Sequence, residues 1–211
     1  MSSVIAHIPL ILRDTGNVVE AELRDRIEDS NLRDWETKWR PVIDATKQRL
    51  EAQRAPHAEW PQDVHWDWRK KMAYMRGLLS GASFCIECEG TTQGMMVVNI
   101  ASRRALIDAQ KGQHLVYVEY LEAAPWNRKD HAAKPRFRGV GSILIITAIA
   151  LSRSEGFKGR IGLHSLPQAD EFYADKCGMT DLGEDPKYQN LRYFEMTPDQ
   201  AENFLERKEQ S

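Results

Sequence analysis

The sequence predicts a mixed α/β fold, one domain built on a sheet with an N-terminal helical part. Three observations predict it. Short β-type runs recur at residues 83–89, 95–100, 115–123, 160–166 and 191–196. A strongly apolar helical stretch, residues 142–155, stands between the third and fourth of them, and a shorter helical stretch, 168–177, follows the fourth. The chain of 211 residues is long enough to bury a sizeable core and contains no repeat or low-complexity segment.

The elements follow in order. Val4 to Leu12 has the composition of a strand, and Pro9 confines it to a sheet edge. Asp14-Thr15-Gly16-Asn17 is a turn, after which Val18–Glu28 and Leu32–Gln53 are expected as helices. In the second of these, Leu32, Trp35, Trp39, Val42, Ile43, Thr46 and Leu50 recur at helical steps, and Pro41 should kink or split the run. Arg54 to Asp63, with Pro56 and Pro61, is a loop, and Trp66–Leu79 is a helix closed by Ser80-Gly81. Residues 83–89 and 95–100 form a hairpin around the turn-forming residues 90–94. Leu115–Ala123 is a strand, followed by a polar segment from Trp126 to Pro135. The helix 142–155 ends at Gly156, the helix 168–177 ends at Gly178, and 191–196 is the closing strand. The domain is expected to span residues 4–198, with 4–80 as its N-terminal part on the acceptor side and 83–198 as its ligand-binding core.

Composition excludes several function classes. Lys+Arg number 29 against 31 Asp+Glu, a net charge of −2, which disfavours a globally basic nucleic-acid binder and an acidic disordered chain. The longest strongly apolar run, Ile143–Leu151, falls far short of the ~20 residues that cross a bilayer. No basic segment precedes an apolar stretch at the N-terminus, and three cysteines are too few and odd in number for a secreted disulfide scaffold. A cytoplasmic protein without membrane contact is expected. Cys85 and Cys88 have the spacing of a zinc half-site, but no second half exists, so no metal is expected.

The segment that carries chemistry is Arg136-Phe137-Arg138-Gly139-Val140-Gly141-Ser142. Gly139 and Gly141 let the backbone approach a ligand closely, and the following helix aims free N–H groups and its positive dipole end at the same spot. That arrangement cradles a pyrophosphate, and Arg136 and Arg138 add charge beside it. Arg128, Lys129 and Lys134 extend the basic cluster, which Asp130 alone offsets. The turn lacks the lysine of a Walker A loop, and Leu144 stands where a dinucleotide fingerprint needs glycine.

Arg-x-x-Gly-x-Gly between a strand and an apolar helix resembles the acyl-coenzyme A motif of the GNAT acetyltransferase superfamily. Ala169-Asp170-Glu171-Phe172-Tyr173-Ala174-Asp175-Lys176-Cys177-Gly178-Met179 resembles that family's second helical motif, and the order of elements agrees over nearly the whole chain. The resemblance implies the GNAT fold and acetyl-CoA as co-substrate. It also implies pyrophosphate binding by the backbone from Arg138 through Gly139, Val140 and Gly141 to Ser142, and contacts from the backbone of Leu121 and Ala123 to the acyl carbonyl and pantetheine. The activity implied is acetyl transfer to a primary amine, of a small molecule or a peptide, by direct attack in a ternary complex. Leu166 stands where the family often has asparagine, and Ser165 or His164 could supply that polar contact.

Acetyl transfer to an amine needs a base for the attacking nitrogen and an acid for the departing thiolate. Tyr173 matches the thiolate in acidity, and the resemblance places it at the thioester sulfur. Glu119 and Glu122 alternate to opposite faces of their strand. Glu119 shares the face of Leu121 and Ala123 and is the preferred base, with His114 and His164 as alternatives. Trp60, Trp66 and Trp68, near Glu59, Asp63 and Asp67, are expected to wall the acceptor cleft, whereas Trp35 and Trp39 are core. The competing reading is a catalytically silent coenzyme A-binding sensor or structural module, which Tyr173 and the acidic strand disfavour. No nucleic-acid partner is expected, because the basic cluster has few stacking aromatics. A homodimer is compatible with the family.

Overall fold

The computed structural model describes residues 2–210. Nine strands form one sheet: β1 (Val4–Leu12), β2 (Val18–Arg24), β3 (Gly81–Cys88), β4 (Thr91–Asn99), β5 (Val116–Ala123), β6 (Phe137–Arg138), β7 (Ile161–Ser165), β8 (Thr180–Asp185) and β9 (Leu191–Met196). Their order is β6-β1-β2-β3-β4-β5-β7-β9-β8. The helices are α1 (Asp29–Asp34), α2 (Arg40–Ala52), α3 (Trp68–Met75), α4 (Val140–Ser154) and α5 (Pro198–Glu209). Among the described residues no helix is long and apolar enough to cross a membrane. The chain divides into two compact units. One comprises the chain up to Met96 with Leu121–Leu144, and the other Val97–Tyr120 with the chain from Ile145 on.

In the first unit, β1 and β2 are an antiparallel hairpin. This corrects the helix expected over Val18–Glu28. Val19, Ala21 and Leu23 alternate with the outward Val18, Glu20 and Glu22, a period of two that the charges disguise. Pro9 pairs across from Glu20, and on its other side β1 is joined by β6 only at Ile11 and Leu12, so proline blocks no ladder bond there. The run expected from Leu32 is one helical rod, interrupted by a widened turn over Trp35–Trp39 in which the Arg40 N–H reaches the Trp35 carbonyl. That turn ends just before Pro41, which enters α2 in its first turn, where its missing N–H does least harm. Leu32, Trp35, Trp39 and Ile43 are buried along the rod. Asp67 caps α3 by accepting from the Lys70 N–H at 3.0 Å. The β3–β4 hairpin turns tightly, with Glu89 and Gly90 both at positive φ, rather than over residues 90–94. Cys85 and Cys88 are buried thiols, each donating to a carbonyl of the neighbouring chain segment, Arg26 and Glu20.

In the second unit, β7 runs parallel to β5 over Val116–Val118 against Ile161–Leu163, and β9 lies antiparallel to both β7 and β8. Parallel neighbours need a long crossover, and α4 supplies it. The helix expected over 168–177 is a short helical turn at Pro167–Ala169 followed by a widened turn over Phe172–Lys176. Two elements were not expected, β8 and α5. Thr197 and Gln200 form a reciprocal capping box at the start of α5, and Phe204 and Ala201 bury its inner face.

Candidate active site

In the first unit, the glycine turn is built as its sequence suggests. β6 ends at Arg138, Gly139 takes φ +104°, and α4 begins at Val140. The Ile143 N–H bonds the Gly139 carbonyl at 2.9 Å, so the N–H groups of Val140, Gly141 and Ser142 precede the first intrahelical bond. A Cβ on Gly139 would meet nothing closer than 3.9 Å, so glycine is needed for its backbone conformation and not for space. Gly141 instead lies within the first turn of α4. Val140 packs against Gly94, where an added Cβ would come within 2.6 Å of the valine methyl. Arg138 is exposed, and Arg136 is exposed and paired with Glu89. Leu121 and Ala123 are half-buried at the end of β5, and the next residue, Ala124, donates its N–H to the Gln93 carbonyl at 2.9 Å.

The segment 126–136 is a closed excursion pinned at its neck. The Arg136 N–H reaches the Trp126 carbonyl at 2.8 Å, and the Phe137 N–H reaches the Asn127 side-chain oxygen at 3.0 Å. Asn127 and Trp126 in turn both donate to the buried Gln93 amide oxygen. The excursion also removes a cation from the basic cluster. Arg128 hydrogen-bonds Asp63 and Asp130 and lies 3.7 Å from Glu122, so it is not available to a phosphate.

The aromatic–acidic group expected to wall the acceptor cleft is largely engaged internally. Trp68 is fully buried and donates its indole N–H to Glu122, and Trp60 donates to the Ala55 carbonyl at 3.1 Å. Lys71 places its ammonium 4.0 Å over the Trp66 ring, and burial pulls that ammonium down to about 8 despite Glu122, Asp63 and Asp67. Glu122 is raised well above the ordinary carboxylate range, first by burial and next by the Asp63 charge. Ligand atoms of Asp63, Asp130 and His131 lie within 4.8 Å of one another. The Arg128 guanidinium already bridges the two carboxylates and supplies the positive charge that a metal ion would bring.

In the second unit, Glu119 is half-buried, one residue past the last position at which β5 is paired with β7. Burial raises its carboxyl above the ordinary value, against the hydrogen bond from Ser102, the charge of Arg103 and the hydrogen bond from Asn99. Tyr173 is buried in the widened turn, edge-on to Phe172 at 5.2 Å and tilted against Phe194 at 6.0 Å. Such widened turns recur at functional positions. His114 is exposed and stacks on Phe157 at 5.0 Å, a surface role. His164 is pinned between the Tyr117 hydroxyl at 2.6 Å and Asp185 at 3.1 Å, and burial lowers its basicity. Around it stand Tyr117, Tyr188, Tyr193 and Arg103, which sequence reasoning missed. They come from four separate segments, and no spacing in the chain announces them.

No family model matches the sequence, and no curated protein does. Solved structures do match the fold. The PaiA N-acetyltransferase of Thermoplasma acidophilum, crystallised with coenzyme A, aligns at TM-score 0.52 and 13% identity over 84% of this chain and 98% of its own. A GNAT-family acetyltransferase of Listeria monocytogenes aligns at 0.51 and 13% identity, covering 90% of this chain and 99% of its own. The GNAT domain of S. lividans PAT aligns at 0.53 and 14% identity, covering 90% and 96%. The chain therefore has the fold of the GNAT acetyltransferases.

Proposed function

We propose that this chain is an N-acyltransferase that moves an acetyl group from acetyl-CoA to a primary amine within a ternary complex. The observation that carries the reading is the turn at Gly139. An exposed glycine at φ +104° delivers the chain into the first turn of α4, so three successive N–H groups precede the first intrahelical bond. Backbone N–H groups and a helix dipole in this arrangement suit a pyrophosphate, and Arg138 is exposed beside them. The fold, shared with acetyltransferases, supports the same reading.

When bound, acetyl-CoA supplies an activated acyl carbon and a thiolate leaving group. The chain's own residues manage protons. Glu119, partly buried and raised above the ordinary carboxylate range, takes the proton that an ammonium must lose before nitrogen can attack. Tyr173 carries the hydroxyl that returns a proton to sulfur. The N–H groups of Val140, Gly141 and Ser142 hold the pyrophosphate.

Incubation with acetyl-CoA and a panel of amines, amino acids and peptides, read by thiol release and by the mass of the acylated product, tests the proposal. Acceptor-dependent thiol release is the expected result. Its absence across the panel, with the coenzyme bound, contradicts transfer.

A further inference from the structure

Arg103 has a setting unlike that of the paired arginines in this chain. Its guanidinium carbon lies 4.0 Å from the centre of the Tyr188 ring, 4.8 Å from Tyr117 and 5.7 Å from Tyr193. These walls are fixed: His164 stacks on Tyr188 at 4.2 Å and 10° and is itself hydrogen-bonded to Tyr117 and Asp185. The loop that carries Arg103 is tied down on both sides. On one side the Ala101 and Ser102 N–H groups bond the Asn99 side-chain oxygen at 3.0 and 3.1 Å. On the other, the buried Glu195 carboxylate accepts from the N–H groups of Leu106 and Ile107 and from the Gln110 amide, at 2.7 to 3.0 Å.

Among the described residues Arg103 makes no close ion pair. Arg24, Arg33, Arg40, Arg69, Arg128, Arg136, Arg153 and Arg192 each pair with a carboxylate within 4 Å. Among the described residues no carboxylate stands at that distance from Arg103. Glu119 and Asp185 feel its charge from further away. An arginine cannot shed its proton to escape partial burial. Held against three tyrosine rings and without a carboxylate in close contact, it can meet an incoming anion already partly ordered.

We propose that Arg103 recognises a carboxylate on the acceptor, so that the amine acylated by this chain is an amino acid or a similar amino-carboxylate. The guanidinium holds the carboxylate and Glu119, which lies within reach of its field, takes the ammonium proton. The amine half of this inference rests on the acyltransferase reading; the carboxylate half rests on the surroundings of Arg103 alone.

The test uses the full chain and acceptor pairs that differ only in the carboxylate: phenylalanine against phenethylamine, and alanine against ethylamine. The wild type should favour the carboxylate member of each pair in kcat/KM. Arg103→Gln should lower kcat/KM for the carboxylate members roughly 10- to 100-fold more than for the plain amines, whose own smaller loss follows from removing a positive charge near the Glu119 base. Arg103→Lys, which keeps the charge, should retain part of the preference and covers the case in which the glutamine variant folds poorly. A second arm needs no acyl transfer: 3-phenylpropionate, which has no amine, should bind the wild type in calorimetry and not the glutamine variant. Binding in that arm without turnover of any amine would refute the acyltransferase reading and leave the anion site standing. Equal use of both members of each pair by the wild type, an equal loss for both in Arg103→Gln, or no binding of 3-phenylpropionate would overturn the proposal.

Discussion

Replacing Arg128 by methionine should cost this protein a large share of its stability, and more at alkaline than at acid pH. Methionine keeps the length of the side chain and deletes the charge. What it leaves behind sets the size of the effect. The Asp63 side chain is 5% exposed and that of Glu122 1%, whereas Asp130, at 25%, can turn to water. Two buried carboxyl groups therefore lose their cationic neighbour at once. Removing one partner of a buried ion pair typically costs about 3–5 kcal/mol. For a chain of this size that lowers Tm by on the order of 10 °C. The pH dependence follows from Glu122, whose carboxyl is raised in the folded state by burial and by Asp63, with Arg128 pulling the other way. A carboxyl raised on folding contributes its full stability below its unfolded pKa and loses it as pH rises through the folded one. Without Arg128 the folded value climbs further, so the gap between variant and wild type should stay level at acid pH and open as pH rises through the wild-type value of about 8. Urea unfolding followed by tryptophan fluorescence at three pH values, with Trp68 on Glu122 as an internal reporter, measures this. Arg128→Met combined with Asp63→Asn should recover part of the loss. A deficit below about 1 kcal/mol, or one that widens toward acid pH, would refute the reasoning.

The remaining expectations concern chemistry. Tyr173→Phe removes one hydroxyl and keeps the ring packed against Phe172 and Phe194, so coenzyme affinity should hold while turnover falls by about 10²-fold; an unchanged rate at saturation returns Tyr173 to a packing role. Glu119 must be ionised to act, and its carboxyl is raised by burial, so the acidic limb of kcat/KM should lie above the ordinary glutamate value and vanish in Glu119→Gln. A limb that survives the substitution assigns the base elsewhere.

How much of this was legible in the chain depends on whether the signal was local. The strands at 115–123, 160–166 and 191–196 and helix α4 stand within a residue or two of their expected bounds, because their apolar runs are long and punctuated by glycine. The Gly139 turn is local too, so a glycine at positive φ leading into α4 could be read from spacing alone. β2 differs from its expected helix because alternate glutamates on an exposed hairpin imitate a polar helix face. α5 has a local start signal, Thr197-Pro198 followed by Gln200, but a run of charged residues after it hides its apolar face. Side-chain partnerships were beyond reach. Arg128 and Arg136 look alike in sequence, yet one is enclosed by Asp63 and Asp130 and the other pairs with Glu89 at the surface. Glu119 and Glu122 differ only in the face they take. That difference sends Glu122 against Trp68 and leaves Glu119 among Asn99, Ser102 and Arg103.

Calorimetric titration of coenzyme A into the wild type and Gly139→Ala addresses the central claim most directly. Alanine fits the space, with its nearest neighbours at 3.9 and 4.0 Å, but it strongly disfavours φ +104° and so re-aims the N–H groups at the start of α4. Saturable binding to the wild type, weakened at least tenfold in a variant whose circular dichroism is unchanged, is the predicted result. Failure of the wild type to bind, or equal affinity in the folded variant, would contradict pyrophosphate binding at this turn and remove the basis for acyl transfer.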